Sequence, residues 1–232
     1  YNVFKELGFD DFTIKINNRK LFNGLCESLD QKENAVEILR IIDKIEKIGK
    51  EAVIEELEKI GVPTESINKI LDFIEIDGTT DEKLQKLADL KIENEAFKTG
   101  LEELTEVVKY VRLFGIPDSN FKVDLTIARG LDYYTGTVYE TIVDEYPNLG
   151  SICSGGRYDN LAEFYTDKKL PGIGISIGLT RLFSQLKDAG IIKAEKASLT
   201  DCLVLPMNID LSYALKTASE IRKAGFTADC YY

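Results

Sequence analysis

The chain lacks histidine and tryptophan altogether and contains only four cysteines in 232 residues. Without histidine, no mechanism that needs an imidazole base or nucleophile from this chain is available. The cysteines form no C-x-x-C pair and have no histidine to complete a mixed zinc site, so we predict reduced, mostly buried thiols and no metal site. They are Cys26, Cys153, Cys202 and Cys230. Any chemistry must therefore use arginine, tyrosine, carboxylates and backbone groups.

Long apolar runs and an excess of positive charge are also missing. No stretch approaches the roughly 20 apolar residues that span a bilayer, and the opening Tyr-Asn-Val-Phe-Lys-Glu does not have the shape of a signal peptide. We therefore expect a cytoplasmic protein with no membrane partner. A net charge of −11 argues against a general nucleic-acid coat, because phosphate binding uses lysine and arginine. Because the chain opens without methionine and helical spacing starts at once with Val3, Phe4 and Leu7, we expect the natural protein to begin upstream of Tyr1.

Hydrophobic periodicity changes along the chain. Alternation at Phe12, Ile14 and Ile16 predicts a strand, with Asn17 and Asn18 as its exit turn. From residue 31 to 114 the spacing becomes helical and predicts a compact helical subdomain with a solvated, charged exterior. The apolar stripes are Val36, Leu39, Ile42, Ile45 and Ile48; Val53, Leu57 and Ile60; Ile67, Ile70, Leu71 and Ile74; and Phe97, Leu101, Leu104, Val108 and Val111. Thr64 is predicted to cap one helix, and Thr79 with Glu82 has the spacing of a capping box.

After Pro117 the pattern changes to strands. Alternation from Phe121 through Ile127 predicts a strand of an antiparallel sheet. Further strands are predicted at 137–143, from 151 and at 172–177, with a short helix at 159–165 and a longer one at 179–188 that ends at Gly190. Residues 201–232 have a β-α-β pattern. Because two parallel strands alone would leave open sheet edges, we expect further residues after Tyr232.

Three stretches carry residues suited to ligand binding. In residues 128–140, Arg129 follows an apolar strand, and Tyr133 and Tyr134 lie between Gly130 and Gly136. Glycines permit close backbone approaches, and a polar loop with aromatic side chains at a strand end can form a pocket wall. An ordinary hairpin with surface tyrosines is the alternative.

Residues 154–160 place Gly155 and Gly156 before a predicted helix, where backbone N–H groups can hold an anionic or carbonyl group. A purely structural turn is the favoured alternative here. In residues 172–181, glycines lie along a short strand and Arg181 falls in the first turn of the next helix. The helix dipole disfavours a cation there, so we expect Arg181 to face an anion such as polyphosphate, with a base or ribose above the glycines. The pattern is neither a dinucleotide fingerprint nor a P-loop.

Together these stretches resemble histidyl-tRNA synthetases. Residues 129–140 are similar to the histidine-binding signature of that family, and residues 172–181 to motif 3 of class II aminoacyl-tRNA synthetases; residues 12–21 and 154–160 extend the similarity over most of the chain. The resemblance implies a histidine–tRNA ligase. Such an enzyme activates histidine with ATP to histidyl-adenylate and transfers the histidyl group to the 3′ end of its tRNA, with Mg²⁺ accompanying the ATP.

The resemblance also assigns roles to matching positions. Arg129 is expected to contact the substrate carboxylate and the α-phosphate, and Arg181 to bind the γ-phosphate; these are the expected catalytic residues. Tyr134 and Tyr158 are expected to line the histidine side-chain pocket, with Tyr133 beside them. The pocket-shaping positions are Leu131, Gly155, Gly156, Gly174 and Gly178, and Gly178 is expected to contact ATP together with the two arginines.

The implied fold is α+β. It is a class II synthetase-type antiparallel sheet, six-stranded in the family and flanked by helices, with a helical insertion and the start of an α/β anticodon-binding domain. We therefore predict catalytic-domain segments at residues 1–24 and 116–195, the helical insertion at 25–115, and the start of the anticodon-binding domain at 196–232. The family is homodimeric.

Motifs 1 and 2 of the family are not found in these residues and are expected before Tyr1, so we expect that this chain alone neither activates histidine nor charges tRNA. Two alternatives stay open. One is a non-catalytic relative, such as the regulatory subunit of ATP phosphoribosyltransferase or the synthetase-like sensor of a stress kinase; the presence of Arg129, Tyr134 and Arg181 favours the enzyme. The other is a protein-interaction module at residues 31–114, which amphipathic stripes alone support weakly.

Overall fold

The computed structural model describes residues 1–127, 130, 133–193 and 198–231, which form two compact units, residues 1–182 and 183–232. The helices are α1 (Asn2–Glu6), α2 (Arg19–Ser28), α3 (Ala35–Ile42), α4 (Ile45–Ile48), α5 (Lys50–Lys59), α6 (Thr64–Ile74), α7 (Thr80–Asp89), α8 (Glu95–Leu113), α9 (Leu179–Asp188) and α10 (Leu211–Lys223). The strands are β1 (Phe12–Asn18), β2 (Phe121–Val123), β3 (Thr137–Val143), β4 (Cys153–Tyr158), β5 (Gly172–Ile177), β6 (Cys202–Val204) and β7 (Ala228–Cys230). Short 3-10 turns lie at Asp118–Asn120, Pro147–Leu149 and Leu161–Phe164.

The first unit contains a five-stranded sheet in the order β2-β1-β3-β4-β5 among the described residues. The pairs β1–β3, β3–β4 and β4–β5 are antiparallel, as predicted, whereas β2 pairs with β1 in parallel, which corrects the prediction for that strand. The prediction that this strand continues to Ile127 was also wrong. The carboxylate of Asp124 accepts hydrogen bonds from the backbone N–H and hydroxyl of Thr126, and this turn ends β2 while Leu125 and Ile127 remain buried.

The end of β1 differs from its predicted exit turn. Asn17 and Asn18 are the last residues of the strand, and the Asn18 side chain accepts a hydrogen bond from the N–H of Lys20, which caps α2. Helix α2 was not predicted from the periodicity. It packs closely on α8 through glycines: a Cβ on Gly24 would lie 2.5 Å from the nitrogen of Phe97.

The predicted helical region is present, and its apolar stripes meet in one core with α2, β1 and β2. Core positions include Ile38, Leu39, Ile42, Val53, Leu57, Ile67, Ile70, Leu71, Phe73, Phe97, Leu104 and Val108. Val36 and Ile48 are 40% and 39% exposed, which corrects the placement of both in the stripe. Thr64 is the first residue of α6 rather than its cap, because Pro63 holds that position, while the capping box of Thr79 and Glu82 is confirmed. The predicted domain boundaries of this unit stay predictions.

The second unit contains the predicted β-α-β arrangement. Strands β6 and β7 pair in parallel, with α10 between them in sequence. The guanidinium of Arg222 near the end of α10 donates two hydrogen bonds to the carbonyl of Ala228, at 2.6 and 3.0 Å, and so links the helix to β7. All four cysteines are free, and Cys26 and Cys153 are buried. Of the described residues, no helix is both long and apolar enough to cross a membrane.

Candidate active site

One face of the sheet carries small and polar side chains at β4 and β5. Paired residues of neighbouring antiparallel strands point to the same face. The register pairs Ser154 with Ser176, Gly156 with Gly174, and Tyr158 with Gly172, so these six positions share one face. Gly174 and Ser176 are exposed. Strand β5 therefore provides an open, nearly side-chain-free floor beside the bulky Tyr158.

Tyr134 lies over this floor at Gly156. A Cβ added to Gly156 would stand 2.8 Å from Cδ1 of the tyrosine ring, and a Cβ added to Gly130 would stand 1.9 Å from Cδ2. Gly130 also has φ +63°, a conformation that favours glycine. The backbone N–H of Tyr134 donates to the carbonyl of Gly130 at 3.1 Å. Because side chains at either glycine would collide with the ring, both positions require glycine for this placement of Tyr134.

Tyr158 covers the neighbouring part of the floor. A Cβ on Gly172 would lie 2.3 Å from Cε2 of its ring, and a Cβ on Gly174 would lie 3.9 Å from its hydroxyl oxygen. Since Gly156 and Tyr158 lie two residues apart on the same face of β4, the rings of Tyr134 and Tyr158 occupy adjacent places. The structure thus brings together two tyrosines that the sequence analysis placed in one pocket.

The side chain of Tyr134 is half-buried. Burial, followed by a hydrogen bond with Tyr133 and by the proximity of Tyr158, raises the pKa of Tyr134 to about 12. The rings of Tyr133 and Tyr134 have centroids 4.3 Å apart and an interplanar angle of 57°, while Tyr133 itself is 49% exposed. Tyr134 therefore presents a neutral phenol that can donate or accept a hydrogen bond.

Arg181 lies in the first turn of α9 and is exposed. Its Nη2 is 3.6 Å from where a Cβ on Gly150 would stand, and Gly178 lies next to its Cβ. Within the described part of the chain, its guanidinium has no ion-pair or hydrogen-bond partner. Gly150 precedes β4, so Arg181 is near the Cys153 end of that strand and the tyrosines are near the other end. Five residue-to-residue steps along the strand lead from Cys153 to Tyr158, a length of about 16 Å.

A buried charge pair lies on the same face of the sheet at β1. Lys15 Nζ is 3.0 Å from Oδ2 of Asp124, and both side chains are about 85% buried. Burial tends to raise the pKa of Asp124, but the hydroxyl of Thr126 and the charge of Lys15 outweigh it and hold this pKa below its ordinary value. Lys15 also stands opposite Glu140 of β3 in the register. The sequence analysis missed this cluster, although the alternation of β1 and β3 could have indicated a polar face.

Three further predicted site residues are either not described by the structure or lie elsewhere than predicted. Arg129 and Leu131 lie outside the described residues. Gly155 lies within β4 rather than before a helix, and it faces away from Gly156: a Cβ there would stand 2.1 Å from the carbonyl oxygen of Gly174. The glycine pair is therefore not a helix-start anion site, because β4 continues through both residues to Tyr158.

Comparison with known proteins decides the family. The family described as "Histidyl-tRNA synthetase" matches residues 1–182. The chain belongs to this family. The resemblance seen in the signature stretches is thus confirmed. A histidine–tRNA ligase of Clostridium tetani is 54% identical over all 232 residues, and one of Finegoldia magna is 43% identical over 233 aligned positions; this chain covers 53% of each. The chain therefore spans about half the length of the curated relatives it matches.

Solved structures support the same fold. The crystal structure of histidyl-tRNA synthetase from Nostoc sp. PCC 7120 matches 99% of this chain and 55% of that chain, with 44% identity and a TM-score of 0.81. This confirms the predicted α+β class. The crystal structure of an ATP phosphoribosyltransferase regulatory subunit/histidyl-tRNA synthetase from Bacillus halodurans C matches with a TM-score of 0.66 at 22% identity, which shows the fold alone. The relatives at 43–54% identity are named histidine–tRNA ligases.

Proposed function

We propose that the protein containing this chain is a histidine–tRNA ligase. It joins histidine to ATP, releasing pyrophosphate and forming histidyl-adenylate, and then transfers the histidyl group to the 3′-terminal ribose of its tRNA. The observation that carries the proposal is the convergence of Tyr134 and Tyr158 over the glycine floor of β4 and β5, in a chain of this family. The names of the relatives at 43–54% identity support it.

The tyrosines form the proposed amino-acid pocket. A neutral imidazole has one donor and one acceptor nitrogen, and a neutral phenol can complement either. The hydroxyl of Tyr134 is neutral at physiological pH, as it would be even at the ordinary tyrosine pKa of 10. A site built to pair with a polar side chain rejects analogues that lack the matching groups, because its own buried polar groups would then stay unpaired. Tyr133 and Leu131 are assigned to the pocket by the resemblance; Gly155 is assigned to it as well, and since its Cα–Cβ direction faces away from Gly156, only its backbone is proposed to contribute.

The nucleotide is proposed to lie along the glycine positions of β5. Gly174 is exposed and carries no side chain, so a flat base or ribose fits against it. Arg181, with Gly178 beside it, is proposed to bind the γ-phosphate, which would supply the anion that an arginine in the first turn of a helix otherwise lacks. The length of about 16 Å along β4 leaves room for histidine and the triphosphate of ATP between the tyrosines and Arg181.

The chemical step requires an anchored positive charge at the reacting phosphate. A carboxylate oxygen of histidine attacks the α-phosphorus, and the bond from that phosphorus to the bridging oxygen of pyrophosphate breaks. Arg129 is proposed, by resemblance, to contact the carboxylate and the α-phosphate and so stabilise the charge of the transition state. Mg²⁺ is proposed only as the ion that accompanies ATP: no group of three or more potential metal-ligating side chains occurs in the described residues.

The location, oligomeric state and domain organisation of the enzyme are also part of the proposal. A cytoplasmic homodimer is proposed, with residues 25–115 as the helical insertion, 1–24 and 116–195 as catalytic-domain segments, and 196–232 as the start of the anticodon-binding domain. These assignments rest on the family. They predict that catalysis requires the proposed domains together, and that none of these segments is active alone.

The test is ATP–pyrophosphate exchange with the natural polypeptide that contains this chain. We expect exchange with histidine alone among the amino acids, loss of exchange in R129A, and charging of tRNA for histidine. The control is histidinol, which lacks the attacking carboxylate. It should compete with histidine for the pocket without supporting exchange. An absence of exchange, together with stimulation of an ATP phosphoribosyltransferase by the protein, would contradict the ligase and establish the regulatory role.

A further inference from the structure

The loop that carries Tyr134 is tied to the end of β4 at the next residue. The backbone N–H of Thr135 donates to the carbonyl of Arg157 at 2.9 Å, and its hydroxyl donates to Oδ2 of Asp159 at 2.5 Å. The hydrogen bond to Arg157 fixes the backbone of Thr135 relative to the strand, and the hydrogen bond to Asp159 fixes the side chain of Thr135. Thr135 is thus attached at two points, to Arg157 of β4 and to Asp159, the residue that follows the strand.

The carboxylate of Asp159 is itself oriented. Its Oδ1 accepts from Nε and Nη2 of Arg157, at 3.1 and 2.9 Å, which leaves Oδ2 for Thr135. The hydroxyl of Thr135 and then the guanidinium of Arg157 hold the pKa of Asp159 below its ordinary value, so the carboxylate stays charged at neutral pH. A charged acceptor makes a stronger hydrogen bond than a neutral one.

Tyr134 needs this precision, because its ring has little freedom between two backbones. Its Cδ1 and Cδ2 lie 2.8 and 1.9 Å from the Cβ positions of Gly156 and Gly130. The peptide after Tyr134 sets the direction from which the ring enters this space. A small shift of Thr135 therefore moves the ring off the floor, and misplacing a binding group by about 1 Å can cost much of its effect.

We infer that Asp159 is a positioning residue, which places Tyr134 over Gly156 through its hydrogen bond with Thr135. This role rests on the proposed function as far as histidine binding is concerned. Asp159 acts through Thr135, not by contact with the ring. Removing the carboxylate or the hydroxyl should therefore weaken the binding of histidine while leaving ATP binding near Arg181 unchanged.

The first measurement does not depend on activity. In the chain with labelled tyrosines, nuclear Overhauser contacts between the Tyr134 ring and the Hα atoms of Gly156 are recorded for the wild type, T135V, T135S and D159A. The contacts should be present in the wild type and T135S, which keeps the hydroxyl, and lost in T135V and D159A. Circular dichroism checks the fold of each variant. Contacts that persist in both T135V and D159A would overturn the positioning role.

The second measurement uses pyrophosphate exchange by the natural polypeptide. T135V and D159A should raise KM for histidine about tenfold with KM for ATP unchanged, and the double variant should be no worse than the single variants. D118A, which removes an exposed carboxylate from Arg112 far along the chain, is the matched control and should leave both values unchanged. An unchanged KM for histidine in active T135V and D159A would also overturn the inference. A wild type without exchange would contradict the proposed function instead, while the Overhauser contacts still decide the positioning role.

Discussion

The ring of Tyr134 lies so close to Gly156 that a methyl group on the glycine would stand 2.8 Å from Cδ1. The neighbouring glycine of the floor is different: a methyl group on Gly174 would meet only ordinary contacts, at 3.9 Å from the ring of Tyr158. Gly156 and Gly174 pair across β4 and β5, but only Gly156 lacks space for a methyl group. It allows the two halves of the proposed site to be tested independently.

G156A should displace Tyr134 and raise KM for histidine in pyrophosphate exchange about tenfold or more, because the ring can no longer lie on the floor. Overpacking should also lower the free energy of unfolding by about 1–3 kcal/mol, measured by urea denaturation. G174A is the matched control. It should leave the unfolding free energy within about 0.5 kcal/mol of the wild type and should raise KM for ATP rather than for histidine, since Gly174 is exposed where the nucleotide is proposed to lie. The reverse pattern would contradict the placement of the two ligands.

Arg181 is expected to bind the nucleotide and to contribute little to the stability of the fold. R181A should reduce kcat/KM for ATP about 100-fold, the size of effect seen when a charge-stabilising donor is lost, with little change in KM for histidine. Because the side chain is exposed and is unpaired within the described residues, the melting temperature should not change. R181K retains the charge but not the paired donors, and should recover only part of the activity. A melting temperature that falls in R181A would mean a structural role.

The pKa of Tyr134 predicts how stability depends on alkaline pH. Because this pKa is raised to about 12 from an ordinary value of 10, the folded state holds the proton more tightly than the unfolded state. The resulting stability is fully present below pH 10 and is lost as pH rises toward 12. The wild type should therefore lose more stability than Y134F between pH 10 and 12, measured by urea denaturation at each pH. Parallel curves for the two proteins would show that folding does not raise the pKa of Tyr134.

Much of the fold follows from hydrophobic periodicity, and the misses have physical causes. Strands β3 and β5 and helix α9 match the bounds that their apolar spacing predicted. Helix α2 escaped prediction because Gly24, which interrupts its pattern, is required by the close approach of α8. Gly155 and Gly156 indicated a turn, yet they lie inside β4, because a ring and a neighbouring strand occupy the space of their absent side chains.

The candidate site was predictable only in part. Tyr134 and Tyr158 could be placed together through the resemblance to a family. The contact of Thr135 with Asp159, 24 residues apart, could not, because no periodic pattern indicates a hydrogen bond between a loop and a strand end. The same holds for Lys15 and Asp124, whose pairing depends on the parallel register of β1 and β2. Long-range polar contacts of this kind require the assembled sheet.

The capping box of α7 offers a test of stability that is separate from the site. The Thr79 hydroxyl accepts from the N–H of Glu82, and the Glu82 carboxylate accepts from the N–H of Thr79 at 2.8 Å. T79A leaves the N–H of Glu82 without its acceptor and should lower the free energy of unfolding by about 1 kcal/mol. T99A, at an exposed position within α8, is the control and should be neutral or slightly stabilising, because alanine favours helices. Urea denaturation measures both variants. KM for histidine should not change in T79A. A change would show that this helix end is coupled to the tyrosine pocket.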